Sequence, residues 1–389
     1  MKKSKRLDLI PPYLFVKIEE KKAELVKKGI DIIDFGIGDP DLPTPAHIFK
    51  KMHEVLEDKD SSNYPTSKGE LSFRKAVADW YKKRFNVVLD PSSEVCCLIG
   101  SKEGLAHLFF AYVDAGDRTL VPDPAYPVYK IGTLLAGGEP YFMPLTRENG
   151  FLPDLEKVPA DVLKKAKILF VNYPNNPTGA VADPEFFKKA VDFAKKNGLL
   201  LVSDLAYSEM GFNGYKPHSV LEVPGAKEVA IEFHSLSKTY NMTGWRIGMA
   251  VGNREAVAAL ATIKSNVDSG AFKAIQFAAI AALSGPQECV EDNNRVFGER
   301  AKILIDGLNL LGWKMDQLKA TFYAWVPAPK GETSSSFTEK LLEKCGILVV
   351  PGSGYGSAGE GYVRMAITLP KERIVLAIER MKKAGIRFS

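Results

Sequence analysis

A lysine set between hydroxyls and followed by an arginine, in Ser235-Leu-Ser-Lys238-Thr-Tyr-Asn-Met-Thr-Gly-Trp-Arg246-Ile-Gly, pairs a nucleophile with a means of tuning it. An amine whose pKa is lowered by nearby cations attacks carbonyl carbon near neutral pH and forms a Schiff base. Arg246 supplies one such cation. Asp204 closes the apolar run Leu199-Leu-Leu-Val-Ser203, where a carboxylate is costly unless it is paired. A protonated aromatic ring nitrogen is a suitable partner, and holding that nitrogen charged makes the ring an electron sink. Tyr207, just beyond Asp204, and Asn176 of Asn175-Asn-Pro-Thr-Gly179 can both hydrogen-bond a phenolic oxygen on the same ring.

Other segments suit the remaining parts of such a molecule. Ser101-Lys102-Glu103 opens a helical pattern after an apolar run, and a helix N-terminus with its unpaired N–H groups favours a phosphate. Ser235 adds a hydroxyl there and Arg246 a fork of donors. Tyr126, in Asp123-Pro-Ala-Tyr, can stack on a ring face, and Arg364, in Gly361-Tyr-Val-Arg-Met, can clamp a substrate α-carboxylate bidentately. A phosphorylated pyridine aldehyde reacting with amino acids is what these residue types together require.

Plainer readings stand beside these. Asp204 and Arg246 can form a structural ion pair, Tyr126, Tyr207 and Tyr64 can be core or interface aromatics, and Asn176-Pro-Thr-Gly179 can be only a turn. Arg364 can be a surface strand residue. Ser235-Leu-Ser-Lys238 also fits the S-x-x-K of serine acyl-enzymes, but the accompanying S-D-N and K-T-G elements are missing. The histidines, His47, His53, His107, His218 and His234, show no metal-ligand spacing, so no metal is expected.

The elements that must position these residues follow a βα rhythm from about Glu94 to Lys264, which predicts an α/β fold with a mostly parallel sheet. Seven strands are expected, near Val95–Ile99, Thr119–Val121, Pro140–Met143, Ile168–Asn172, Leu199–Ser203, Ala230–His234 and Ile247–Val251. Helical patterns fall at Lys102–Val113, Pro184–Lys196 and Arg254–Lys264, with Asp183-Pro184 as cap and first residue of the second. A long helix from Gln287 to about Leu311, strands near Ala320–Val326, Gly346–Val350 and Tyr362–Thr368, and a last helix from Lys371 read as a smaller α+β unit. The expected division is a large unit over 46–284 and a small one over 285–389, completed by an irregular, Pro-rich arm over 1–45. Gly354-Tyr-Gly-Ser-Ala-Gly359 fits GxGxxG formally, but a strand follows it, so it reads as a loop.

Composition narrows the class. Apolar residues at 46% and charged residues at 25% match an ordinary folded protein and exclude a disordered or collagen-like chain. The +5 charge is spread along the chain, which argues against nucleic acid as a partner. Cys96, Cys97, Cys289 and Cys345 form no CxxC pair and are too few for a disulfide framework, which points to a reducing cytoplasm. Asp8 and Pro11-Pro12 interrupt the stretch behind the basic start, so no export signal is expected. Leu199–Val202 and Ala278–Leu283 are far shorter than the roughly 18 residues of a membrane span.

Asn-Asn-Pro-Thr-Gly, Asp-Leu-Ala-Tyr, Ser-x-Ser-Lys and Gly-Trp-Arg-Ile-Gly, in this order, make the chain resemble the class I/II aminotransferases, fold-type I enzymes dependent on pyridoxal 5'-phosphate. The resemblance covers nearly the whole length. It implies that Lys238 tethers the cofactor and shuttles the substrate proton, giving ping-pong transfer of an amino group between an amino acid and a 2-oxoacid. It also implies a homodimer with shared sites, in which Tyr64 of Asn63-Tyr-Pro-Thr-Ser-Lys-Gly reaches the partner's phosphate. Pro12-Tyr-Leu-Phe, Gly36-Ile-Gly38-Asp-Pro-Asp-Leu-Pro, Lys264-Ser-Asn-Val-Asp-Ser-Gly and Pro351-Gly-Ser-Gly-Tyr-Gly look like the LL-diaminopimelate aminotransferase group. That group uses glutamate and 2-oxoglutarate, and in it Gly38, Tyr126, Asn176 and Arg364 would meet the substrate. Aspartate, alanine and aromatic aminotransferases share most of this framework. A C–S β-lyase on the same fold is a further alternative, separable by assaying oxoacid against ammonia and pyruvate. A regulator that senses the cofactor would need a DNA-binding domain, for which there is no room before Asp31.

Overall fold

The computed structural model describes residues 1–10 and 15–388. Most of the Pro12-Tyr-Leu-Phe motif lies outside them. The strands in chain order are β1 (Ile33–Asp34), β2 (Val95–Leu98), β3 (Arg118–Asp123), β4 (Glu139–Pro144), β5 (Ala166–Val171) and β6 (Leu200–Asp204). They continue with β7 (Ala230–Ser235), β8 (Gly248–Gly252), β9 (Tyr323–Pro327), β10 (Ile347–Leu348), β11 (Val350–Pro351) and β12 (Tyr362–Ala366).

The strands β2 to β8 form one seven-stranded sheet in the order β2-β8-β7-β6-β5-β3-β4. It is parallel except where β8 pairs antiparallel with β2 and β7. Helices cover both faces, so the central strands are buried throughout: β6 opens as an apolar run, while β7 buries Glu232 and His234 between its apolar residues. Alternate residues of one strand serve different faces: Leu201 packs in one buried cluster and Val202 in the other. The helix Pro184–Asn197 starts as expected, with the Asp183 side chain accepting from Phe186 N and proline in the first turn. It stops at Gly198, which sits at φ 64°.

A second core gathers the later elements. The antiparallel sheet β11-β12-β9 packs with the helices Glu288–Leu310, Ser334–Cys345 and Lys371–Lys383 around Phe297, Trp313, Phe337 and Ile374. The stretch expected as one strand near Gly346–Val350 is divided: β10 pairs in parallel with β1, and β11 pairs with β12. β9 begins at Tyr323 rather than Ala320, because Thr321 takes a left-handed φ of 61° that a strand does not accept. The N-terminal arm is not wholly irregular. Phe15–Lys27 is an α-helix, and Ile33 and Phe35 bury their side chains in the second core.

Candidate active site

Ligands in an open α/β sheet collect beyond the carboxyl ends of its strands, and five segments end there together. Ser101 and Lys102 follow β2, Tyr126 follows β3, Asn176 follows β5, Asp204 ends β6 with Tyr207 beyond it, and Ser235 ends β7 with Lys238 beyond it. These residues, with Gly38, Arg246 and Arg364, line one cavity of about 270 Å³. A second cavity of about 410 Å³ adjoins it, sharing Gly38, Lys102, Tyr126, Asn176 and Arg364 and extending past Asp34 and Tyr355.

Lys238 lies in the short helix Leu236–Thr239, which leaves β7 at Ser235. Its Nζ donates to the Gly38 carbonyl at 2.7 Å. Burial pushes the ammonium down to about 8, with Arg364 and Arg246 lowering it further and Asp39 opposing. Nearby cations were the expected cause; desolvation is the larger one, and the amine lies over Phe322, 5.5 Å from the ring centre. About a tenth of the amine is therefore neutral at pH 7 and competent to attack a carbonyl.

Asp204 is 5% exposed. Burial raises its carboxyl to about 6, and Tyr129 and the Ala206 N–H pull it back down. Its partner is not Arg246: Tyr129 Oη donates to Asp204 Oδ2 at 2.6 Å. Oδ1 is buried with no hydrogen-bond partner among the described residues. A buried acceptor left unpaired is expensive, so the site suits a ligand that brings a donor such as a protonated ring nitrogen.

The anion end is equally built. Helix Ser101–Tyr112 begins at Gly100, whose φ is 77°. A Cβ there would stand 2.1 Å from Arg246 Nη2, so only glycine lets the guanidinium cross the helix N-terminus. Ser235, Ser237 and Thr243 add hydroxyls to the same end. The residues thus fit a phosphorylated pyridine: unpaired N–H groups and an arginine for the phosphate, an orphaned carboxylate oxygen for the ring nitrogen, an amine for the aldehyde.

Arg364, 6% exposed on β12, donates through Nη1 to Asn176 Oδ1 at 3.0 Å and through Nη2 to the Gly36 carbonyl at 2.8 Å. Its guanidinium lies 4.1 Å from the Tyr323 ring centre. The Gly354–Gly359 loop is two short 3-10 turns, as a loop reading allows. Ser357 Oγ and the Ala358 N–H donate to Asp123, which anchors the loop and brings Tyr355 to the second cavity.

One expected residue is not brought in. Glu103 turns away: its Oε2 accepts from Ile99 N at 2.9 Å and its Oε1 from Lys264 Nζ at 3.0 Å, while its own N–H donates to Gly100 O. Tyr64 is 87% exposed on the surface of this chain. Beside Glu103, His107 and Asp268 place their ligand atoms within 4.8 Å of one another, a grouping that spacing did not reveal. Lys264 Nζ, 3.0 Å from each carboxylate, already supplies the cation there.

Tyr129, Asn172, Ser237, Thr243 and Tyr323 were not singled out in the sequence, where Asn172 and Tyr323 fell inside expected strands. Yet Asn172 Nδ2 donates to the Asp204 carbonyl at 2.6 Å, and Tyr207 Oη donates to Tyr323 Oη at 3.3 Å. A usable signal existed for Asn172 alone, a polar residue directly after a buried strand.

The fold and site are those of a pyridoxal-phosphate-dependent transferase, and the family model for aminotransferase class I and II matches residues 30–381. The chain belongs to that family. It is 57% identical over 383 residues to an LL-diaminopimelate aminotransferase of Moorella thermoacetica, covering 98% of each chain. A protein of the same name from Syntrophobacter fumaroxidans is 56% identical, again over 98% of each. Among solved structures, apo-BacF from Bacillus subtilis superposes with a TM-score of 0.96 at 40% identity, covering 100% of both chains.

Proposed function

We propose that this protein moves an amino group between LL-2,6-diaminoheptanedioate and 2-oxoglutarate, using glutamate as the counterpart amino acid. The single observation that carries the reading is the convergence of Lys238, Asp204 and Arg364 on one cavity that opens into a second. That second space, about 410 Å³, has room for a long substrate, and its lining includes Asp34, whose carboxylate accepts from Lys22 Nζ and the Gly36 N–H. The names of the relatives at 57% and 56% identity support the same substrate.

When bound, pyridoxal phosphate supplies an electron sink for the charge left when a proton leaves the substrate's Cα. Lys238 would tether the cofactor and, once displaced, its amine would take up and hand on the proton lost from the substrate's Cα. Asp204 keeps the ring nitrogen charged. Asn176 and Tyr207 hold the ring oxygen, and Tyr126 covers the ring face. Ser101, Lys102, Ser235 and Arg246 hold the phosphate end, and Arg364 with Gly38 aligns the substrate carboxylate. In this division of labour residues 46–284 form the cofactor-binding unit, and 1–45 with 285–389 the smaller unit that delivers Arg364.

The working form is a homodimer in which Tyr64 reaches the partner's phosphate. Its exposure, together with the exposed Leu71, Val267 and Phe272, supports a covered surface in the assembly. The setting is the cytoplasm. All four thiols are free, and among the described residues no helix is long and apolar enough to cross a membrane.

A panel of amino donors and oxoacids tests the substrate. LL-diaminopimelate with 2-oxoglutarate should give the highest kcat/KM; turnover of aspartate or aromatic donors with none of diaminopimelate would overturn that assignment. Release of ammonia and pyruvate from a sulfur amino acid in place of oxoacid would point instead to C–S β-elimination.

A further inference from the structure

Asp204 lines the cavity; its Oδ1 has no hydrogen-bond partner among the described residues, and its Oδ2 has a fixed one. Tyr129 Oη donates to Asp204 Oδ2 at 2.6 Å. Tyr129 is 0% exposed, so this bond cannot be exchanged for one to water. The phenol is held rigidly: its ring stacks on Phe170 at 4.8 Å and 15°, and meets Tyr126 edge-on at 6.1 Å. Asn172 fixes the Asp204 backbone from the neighbouring strand end. The carboxylate is thereby held at Oδ2 and at its backbone, with Oδ1 left for a ligand's donor.

We propose that Tyr129 is a positioning residue that sets how basic Asp204 is toward the cofactor's ring nitrogen, and so where their shared proton resides. The proposal rests on the assignment of Asp204 to that nitrogen. A carboxylate that accepts a short O–H bond on one oxygen is a weaker base at the other. Without the phenol, Asp204 would draw the proton from the ring nitrogen onto itself and leave a neutral pyridine, a poorer electron sink. The phenol itself stays protonated. Burial first, then the Asp204 charge, pushes Tyr129 far above the usual phenol range, and Tyr126 and Tyr207, the other titratable groups facing it, act in the same direction.

The test uses holoenzyme loaded with cofactor carrying 15N in its ring, in wild type, Tyr129→Phe, Asp204→Asn and the double variant. Tyr129→Phe is expected to move the ring-nitrogen resonance toward that of unprotonated pyridine. It should lower kcat roughly 10-fold to 100-fold, the span of a charge-assisted hydrogen bond, with KM changed by less than about threefold. In the Asp204→Asn background the same change should add little, because its partner is gone. If Asp204→Asn moves the resonance and Tyr129→Phe does not, the role of Tyr129 is overturned while that of Asp204 stands. If Asp204→Asn leaves the resonance in place, the ring-nitrogen assignment itself fails and takes this proposal with it. A difluorotyrosine at 129 keeps the shape and strengthens the donor. Its resonance must lie at or beyond the wild-type position, and a shift toward neutral pyridine would contradict the proposal.

Discussion

Arg364 Nη1 donates to Asn176 Oδ1 at 3.0 Å across 188 residues of sequence, joining β12 of the smaller sheet to the loop that follows β5 of the larger one. The group assigned to the substrate carboxylate and the group assigned to the ring oxygen therefore move as one. A lysine has neither the planar fork nor the reach to satisfy both partners. Arg364→Lys is expected to lower kcat/KM for every amino donor by about 100-fold or more, mostly through KM, measured by steady-state kinetics. Unchanged kcat/KM would remove Arg364 from substrate binding.

Gly100 shows how closely the anion end is fitted. A methyl group there would lie 2.1 Å from Arg246 Nη2 on a backbone already at φ 77°. Gly100→Ala must displace either the arginine or the helix start, at about 1–3 kcal/mol of strain. The expected result is at least a tenfold rise, roughly, in the cofactor dissociation constant, read by titrating apoenzyme with pyridoxal phosphate. Equal affinity in the variant would show that this crossing does not hold the phosphate.

Glu232 gives a pH dependence independent of catalysis. It lies fully buried on β7, with Ser219, Ser203, Tyr81 and the Val220 N–H donating to it. Burial pushes its carboxyl up to about 7 from an ordinary 4.5, against the pull of those donors. The folded chain thus binds this proton more tightly than the unfolded one, so the stability it contributes is complete below pH 4.5 and lost as pH rises through about 7. Glu232→Gln removes the titration and keeps the shape. Relative to wild type, the variant should gain up to about 3 kcal/mol of stability between pH 4.5 and 7, measured by urea unfolding at both values. A difference that does not vary with pH would contradict this.

How much of this was legible from the sequence depended on the reach of each interaction. All seven strands of the large sheet were readable, most of them because a strand buried on both faces is a short apolar run ended by turn residues; β4 at the sheet edge and β7, with Glu232 and His234, depart from that pattern. The polar residues just past those runs, Asp204, Asn176 and Lys238 among them, were readable for the same reason. Tyr129 was not. It lies 75 residues from Asp204, inside an apolar helix where a tyrosine looks like packing. Glu103 was chosen for its place in a first helical turn, but its carboxylate folds back on Ile99 N and takes Lys264 as partner, a contact 161 residues away. The helix Phe15–Lys27 was obscured by the prolines just before it and by its many charged residues.

Reduction of the purified holoenzyme with borohydride, followed by peptide mapping, tests the central assignment most directly, because it converts a carbon–nitrogen double bond into a permanent mark. One pyridoxyl-labelled peptide is expected, modified at Lys238, and none from the Lys238→Ala protein, whose turnover should fall by about 10²-fold to 10⁴-fold. A label on another lysine, or full turnover in Lys238→Ala, would contradict it.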